Sequence, residues 1–511
     1  MPHPTDDIIR AMKSPSAGDQ KTIQAAYDLA KIAHGAELRK SGEPYIIHPH
    51  AIAVTLAQLG MDRDTIIAGI LHDTLEDTEL KAEEIEEKFG ATVRFLVEGV
   101  TKLSKLKYRG LERHVESLRR LFVATANDVR VIIIKLADRL HNMETLEYVL
   151  PIEKRLRIAL ETREVYVPVA ERLGMGVVKS KLEDLAFKNL EPERYTETEH
   201  FLKERGEQEK DALDKALNDL RKALAHAGIR NFHTETRVKN VHSFAAKLER
   251  KGNDPDKVYD IFAIRIVVPT LSDCYRALGI IHNIWRPIPG RVKDYIAAPK
   301  PNGYRTIHTT IITPHKLIIE VQIRSEEMQQ ESKFGVAAHF LYKDPKKNPE
   351  KLSAMAWAWR FIPSLMKTAR AKDAKTSEPT EDETTDSPQW LKELHTAAKE
   401  FRGGKAFEQA LKEDFFAERM FVFTPKGDVI DLPVGATPVD FAYAVHSDVG
   451  DRMVGAKVNG KILALSESLH NGDIVEVLTK KSAKPNKKWI EFAKTSGAKH
   501  HIRNATNKQP K

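Results

Sequence analysis

Two sets of polar residues in this chain are spaced for chemistry rather than for solvation. In the apolar run TIIAGILHDTLED, His72 and Asp73 are followed three and four residues on by Glu76 and Asp77, so a helix there would carry these carboxylates on one face with the pair. Asp138 stands in a second apolar run, IIIKLADRLHN, with Asn142 four residues later, and His48 stands in YIIHPH before a third helical run. In a chain with 20 histidines one His-Asp pair is expected by chance, and each of these residues alone reads more simply as a core hydrogen bond or a surface charge. As a set, imidazoles and carboxylates from three helices make the donor group of a borderline-hard divalent cation such as Mn²⁺. Such an ion polarises a phosphoryl oxygen and lowers the pKa of a water.

The second set alternates in sign. Arg237 and Lys239 precede Asp260 in YDIFAIR, then come GRVKDYIAAPKPNGYRTIHTT and Glu320 in IEVQIR. Transfer of a pyrophosphoryl group needs cations on its oxygens, carboxylates for Mg²⁺ and a positioned hydroxyl nucleophile. Asp260 and Glu320 fall on adjacent predicted strands, where they could share one metal, and Glu320 could also act as base. Tyr304, after the turn Pro301-Asn302-Gly303, is placed to stack on a purine. The same pattern also fits a plain surface on which basic loops border acidic strands.

The elements that must position these residues follow from length and periodicity. A chain of 511 residues implies three or four domains. No apolar run reaches the 18 or so residues of a membrane span, and the first residues do not read as a secretion signal, so a cytoplasmic protein without a membrane partner is expected. The single cysteine, Cys274, excludes an internal disulfide and a cysteine-based zinc site. Residues 21–185 carry helical spacing throughout, and a long charged helix extends from about Glu191 to His226. YDIFAIRIVV, HTTIIT and KLIIEVQIR read as strands, with a helix in SDCYRALGIIHNIW. Residues 344–388 are polar and acidic and read as a linker. Beyond them short β-type runs are punctuated by turns at Lys426-Gly427-Asp428, Asn459-Gly460 and Asn471-Gly472. Residues 480–511 hold ten Lys/Arg and one acid, a net of +9, so they account for the whole basic excess of a chain whose net charge is +8. That tail is either a solvated, frayed end or an electrostatic attachment to RNA.

The order His48, His72-Asp73, Asp138 matches the HD phosphohydrolase superfamily, and the wording RKSGEPYIIHP, LGMDRDTIIAGILHDTLEDT, GVTKLSKL and IKLADRLHNMETL resembles the hydrolase domain of the Rel/Spo homologues, which make and destroy the alarmone (p)ppGpp. The resemblance implies metal ligands His48, His72, Asp73 and Asp138, a water activated or oriented by Glu76 and Asp77, phosphates faced by Arg39 and Lys40, and support of the nucleotide site from Asn142. DYIAAPKPNGYRTIHTT and IEVQIR resemble the family's synthetase signature. By position this implies ATP contacts from Arg237, Lys239, Lys247 and Arg265, Mg²⁺ on Asp260 and Glu320, and guanine of GDP or GTP on Tyr304. Lys300, Asn302 and His308 would complete the acceptor site. Arg291, Lys293 and Asp294 are similar to the RxKD form associated with bifunctional members. Thr236, His242 and Phe340 depart from the usual Gly, Tyr and Trp, which leaves a hydrolase-dominant enzyme as the alternative.

MFVFTPKGDVIDLPVGATPVDFAYAVHSDVG resembles the family's TGS domain, with His446 facing the 3′ end of tRNA; on its own, His446 in an apolar stretch reads equally as a core histidine. The expected multidomain architecture is an all-α HD-type hydrolase domain over 1–190, an α/β nucleotidyltransferase-like synthetase domain over 191–345, a linker over 346–412, a small β-grasp TGS domain over 413–480 and a basic tail over 481–511. Uncharged tRNA or the ribosome are the partners implied for the TGS domain and tail. Longer family members continue with further domains, so a natural short form or a truncated chain is expected.

Overall fold

A computed structural model describes residues 3–12, 15–104, 128–258, 260–297, 299–300, 303–314, 317–335, 419–425, 429–470, 472–480 and 482–507. The expected linker, Asn302, Phe340 and the Lys426-Gly427-Asp428 turn lie outside these residues. The chain divides into two compact units, one holding the helical and α/β parts and the other the C-terminal module.

The N-terminal part is helical: α1 (Asp6–Ala11), α2 (Ala17–His34), α3 (Ile47–Gln58), α4 (Arg63–Leu71), α5 (Thr74–Asp77), α6 (Ala82–Phe89), α7 (Ala91–Ser104) and α8 (Val129–Glu144). Asp62 caps α4 and Asp128 caps α8. Arg130 donates to both carboxylates, which ties together the starts of the two helices that carry His72 and Asp138. Gly69 of α4 sits so close to α3 that a Cβ there would stand 2.4 Å from Leu56 Cδ1, so a larger residue would force the Leu56 side chain to shift.

Helices α9 (Ile152–Glu161), α10 (Val167–Arg172) and α11 (Gly176–Leu190) lead to α12 (Pro192–His226), the long charged helix of the sequence reading. With α13 (Val241–Arg250) and α14 (Leu271–Ile284) it packs on a six-stranded sheet of order β1-β2-β6-β5-β3, with β4 also paired to β5. The strands are β1 (His233–Val238), β2 (Phe262–Val268), β3 (Arg286–Pro287), β4 (Lys293–Asp294), β5 (Ile307–Ile312) and β6 (Ile318–Ser325). β2 and β6 run parallel and the remaining pairs antiparallel. Ile264, Ile266, Ile307, Ile311, Ile319, Val321 and Ile323 enter the helix-covered core. Strand alternation therefore sends Arg265, His308, Glu320, Gln322 and Arg324 to the opposite face. The closing helix α15 (Glu326–Phe334) is capped by Ser325.

The C-terminal module pairs β7 (Arg419–Phe423) with β8 (Val429–Pro433) and orders β9 (Met453–Val458), β10 (Lys461–Leu463) and β11 (Val475–Thr479) as β10-β9-β11. Asn459 and Gly460 both take positive φ, 51° and 81°, as the hairpin turn requires. Helices α16 (Pro438–Val445) and α17 (Ser447–Asp451) lie between the strand pairs in sequence.

The tail is a correction: residues 482–507 are not a frayed end. Trp489, Ala493, Ala498 and Ile502 are buried in the module's core, and α18 (Ser496–Asn507) is regular helix. Apolar residues at helical spacing lie among the lysines, and charge counting hides them. Asp440, wholly buried, holds this extension in place. It accepts from Thr437 N and Oγ1 and from the backbone of Lys494 and Thr495, with Thr495 Oγ1 as a further donor. Asp440→Ala leaves these donors buried and unpaired, a loss of roughly 3 kcal/mol or more. Calorimetry of the full chain should show one transition moving down by about 10 °C or more while hydrolysis and transfer at low temperature are kept.

Candidate functional site

The turn 37–45 builds one wall of the helical site. Arg39 N donates to Glu43 O and Tyr45 N to Glu37 O, with Gly42 at φ 86° closing the reversal. Arg39 and Tyr45 are thereby set beside the starts of α3 and α5. His48 on α3, His72 at the end of α4 and Asp138 on α8 are buried, and their ligand atoms lie within 4.8 Å of one another. His48 Nε2 is 3.3 Å from Asp138 Oδ1 and 3.6 Å from Asp73 Oδ2.

The donor chemistry fits a divalent cation. His72 Nδ1 lies 3.0 Å from Gly69 O and can only donate there, which leaves Nε2 as a bare lone pair. That buried Nε2 has no hydrogen-bond partner. Asp73 Oδ2 approaches it to 2.9 Å without hydrogen-bond alignment, as expected for two donors aimed at a shared centre. Asp138 is fixed by Lys135 Nζ at 2.6 Å and by Asn142 Nδ2.

Other expected residues stand differently. His72 and Asp73 form a turn between α4 and α5, so Glu76 and Asp77 do not continue one helix face; both are exposed at the site's mouth. Asp77 is linked back through Tyr45, whose hydroxyl donates to Asp73 at 2.7 Å and reaches Asp77 at 3.4 Å. Arg39 does not point freely at solvent: its guanidinium contacts His141 Nδ1 at 3.0 Å and donates to Asn142 Oδ1 at 3.2 Å. Lys40 is exposed.

Tyr45 and His141 escaped the sequence reading because neither belongs to the metal-binding pattern, although both lie in the quoted motifs. His141 Nδ1 meets His48 Nδ1 at 2.9 Å and so fixes the ring whose Nε2 faces the site. Burial, His48 and Arg39 together push its pKa down to about 3, so it is neutral. His141→Ala should weaken cation binding by about 10- to 100-fold, the usual loss for a residue supporting a ligand. Titration calorimetry with Mn²⁺ measures it directly.

The second set assembles on the open sheet face. Glu320 of β6 is in register with Ala263 of β2, which puts Asp260, just before β2, on the adjacent chain as expected. The two carboxylates have different hydrogen-bond partners. Asp260 accepts from Lys239 at 2.6 Å and from Lys247, which neutralise it. Glu320 instead meets His308 Nδ1 at 3.0 Å and accepts from Gln322 Nε2 at 2.8 Å. Burial opposes its ionisation, yet these bonds hold its pKa down to about 2. This donor set suits Mg²⁺ carried in on nucleotide oxygens, because that ion is commonly held by one or two carboxylates plus substrate phosphates.

Arg265 pairs with Glu235, and Arg237 lies two pairs along the same β1–β2 ladder. Lys293 pairs with His308 in the β4–β5 ladder, two residues after Arg291. Lys300 Nζ lies over the rings of Tyr295 and Tyr304, and Gly303 at φ 75° closes the turn before Tyr304. Tyr304 is tethered by its hydroxyl to His308 Nε2 and Arg324 Nη2, both at 3.0 Å. Thr236 sits mid-strand in β1, and His242 packs against Phe187 with its backbone N–H on Asp184. In the C-terminal module His446 is exposed at the start of α17, where its Nδ1 accepts from Asp448 N, so the core-histidine reading is overturned.

A buried imidazole-carboxylate cluster on helices, a charged sheet face and a β-grasp module define a multidomain protein with two separate polar sites. Residues 26–176 match the HD domain family, 236–347 the region found in RelA/SpoT proteins and 420–479 the TGS domain. The chain is 42% identical over 499 residues to the GTP pyrophosphokinase of Myxococcus xanthus, covering 96% of this chain and 61% of the relative. It is 43% identical over 488 residues to the guanosine-3′,5′-bis(diphosphate) 3′-pyrophosphohydrolase of Aquifex aeolicus, covering 95% and 65%. To the bifunctional (p)ppGpp synthase/hydrolase SpoT of Escherichia coli it is 41% identical over 486 residues, covering 94% and 64%. The chain thus spans roughly three fifths of the length of these relatives. It belongs to the Rel/Spo family.

Proposed function

We propose that the chain is a bifunctional alarmone enzyme of the cytoplasm. It transfers pyrophosphate from ATP to the 3′-hydroxyl of GDP or GTP, giving (p)ppGpp and AMP, and hydrolyses (p)ppGpp to GDP or GTP plus pyrophosphate. The observation that carries this reading is the presence on one chain of two separate sites that share no side chain: the buried cluster His48, His72 and Asp138, and the sheet face around Glu320. The relatives' names cover both activities.

For hydrolysis, His48, His72, Asp73 and Asp138 would hold Mn²⁺, which when bound polarises a phosphoryl oxygen and makes a water more acidic. Lys135 and Asn142 keep Asp138 turned toward the imidazoles. Water attacks the phosphorus bonded to the 3′ oxygen, and that P–O bond breaks. Asp77 or Glu76 at the mouth takes the water's proton and returns it to the 3′ oxygen, which leaves as a hydroxyl. Arg39, braced on Asn142, and Lys40 offset the charge of the departing pyrophosphate.

For transfer, the acceptor 3′ oxygen bonds to the β-phosphorus of ATP while the bond from that phosphorus to the AMP oxygen breaks. Glu320, ionised throughout the working pH range, accepts the hydroxyl proton. Arg237 and Arg265 contact ATP, and Lys239 and Lys247 move from Asp260 to its phosphates. Mg²⁺ on Asp260 and Glu320 would neutralise charge on the transferred group. Tyr304 stacks on guanine, with Lys300, Asn302, His308, Arg291 and Lys293 around it. Uncharged tRNA, free or on the ribosome, would meet the C-terminal module at His446 and along the lysines of α18 and its approach.

One preparation tests the reading: AMP should form from ATP plus GDP with Mg²⁺, and pyrophosphate from ppGpp with Mn²⁺. Chelation should stop the second reaction, with recovery on adding Mn²⁺. An RNA-binding protein with vestigial catalytic folds would yield neither product. A hydrolase-dominant enzyme would yield little AMP.

A further inference from the structure

Five side chains on the open sheet face close a ring of hydrogen bonds. Glu320 Oε1 meets His308 Nδ1 at 3.0 Å, and His308 Nε2 meets the Tyr304 hydroxyl at 3.0 Å. Arg324 Nη2 donates to that hydroxyl at 3.0 Å and to Gln322 Oε1 at 3.2 Å, and Gln322 Nε2 returns to Glu320 Oε2 at 2.8 Å. Strand geometry makes the ring possible. Glu320, Gln322 and Arg324 alternate along β6, and His308 is the register partner of Gln322 on β5.

Arg324 is the unusual member. It is 1% exposed and forms no ion pair with a carboxylate among the described residues, while its Nε and Nη1 have no hydrogen-bond partner there. Its guanidinium lies 5.3 Å from the centre of the Tyr304 ring. Burial and the nearby guanidiniums of Arg265 and Arg237 disfavour its charge. A buried cation without a counter-ion is destabilising, so a packing role alone would be served better by an apolar side chain. What the guanidinium supplies, and no aliphatic group could, is a donor nitrogen, Nη2, that bonds Tyr304 and Gln322 at once.

We propose that Arg324 is the positioning residue of the transfer site: through Nη2 it fixes the purine-stacking Tyr304 and, by way of Gln322, the catalytic carboxylate of Glu320 in one rigid frame. The acceptor's purine and the group that takes its 3′-hydroxyl proton are thereby held at a set separation. This inference rests on the transfer reading above. Orientation of this kind acts on the reacting geometry more than on affinity.

Tyr304→Phe keeps the stacking ring and removes only the hydroxyl that ties it to Arg324 and His308. Steady-state kinetics of AMP formation should show kcat falling about tenfold or more with the KM for GDP within threefold. Arg324→Gln should lower kcat about 100-fold, and Arg324→Lys, which retains one donor and the charge, should recover only part of that loss. Hydrolysis of ppGpp by each variant, unchanged within twofold, reports that the chain is folded, and fluorescence titration with a mant-labelled GDP reports acceptor affinity independently of turnover. Should Arg324→Gln fail to fold, Tyr304→Phe and Gln322→Leu carry the same expectation. An unchanged kcat in Tyr304→Phe, or a loss in Arg324→Gln and Arg324→Lys that appears wholly in KM and in mant-GDP affinity, would overturn the inference while wild-type transfer leaves the functional reading intact. Absence of transfer in the wild type would overturn both.

Discussion

Asp73→Ala should cut ppGpp hydrolysis by about 10³-fold or to background, with transfer from ATP within threefold of wild type. Asp73 contributes the carboxylate that approaches His72 Nε2 and His48 Nε2 and that anchors Tyr45. Its removal leaves three donors where a cation needs more, and the several kilocalories of phosphoryl polarisation are lost with the ion. About 4 kcal/mol corresponds to three decades of rate. Because Asp73 is only partly buried, alanine leaves no large cavity, and the intact transfer activity serves as the check on folding. Pyrophosphate release from ppGpp, measured with excess Mn²⁺, gives the number. A loss that saturating Mn²⁺ fully restores would move Asp73 from ligand to affinity support.

Glu320→Gln has the converse expectation. Glutamine can still meet His308 and Gln322, so the sheet face should keep its shape, but it cannot be ionised. Loss of a positioned base and cation ligand lowers rate by roughly 10² to 10⁴. AMP formation should fall by that amount while hydrolysis is unchanged. Equal loss of both activities would contradict the separation of the two sites.

How much of this was readable beforehand varies with the physics involved. The inward and outward alternation of IEVQIR marked β6, because a half-covered sheet imposes period two, and the same alternation put Glu320 on the open face. β1, HTETRV, carries no such pattern: it is an edge strand with little burial, and polar residues suffice there. The His-Asp pair and Asp138 were legible as a metal-type set, since few other uses bring imidazole and carboxylate into apolar helices. The break at His72-Asp73 was not, because apolar periodicity runs through it. Nor were the partners of the charged residues: Asp260 among lysines and Arg39 on His141 depend on which loops meet, and spacing along one chain does not encode that. The lysine-rich end misled through its charge, while Trp489 and Ile502 carried the signal that it folds.

The most direct measurement follows a label placed on the β-phosphate of ATP. With purified protein, GDP, Mg²⁺ and Mn²⁺, product chromatography over time should show the label passing from ATP into ppGpp and then into pyrophosphate, with none in AMP. In Glu320→Gln it should remain in ATP, and in Asp73→Ala it should accumulate in ppGpp. Label that stays in wild-type ATP, or that appears in ADP without passing through ppGpp, would contradict a chain that both builds and removes the 3′-pyrophosphate.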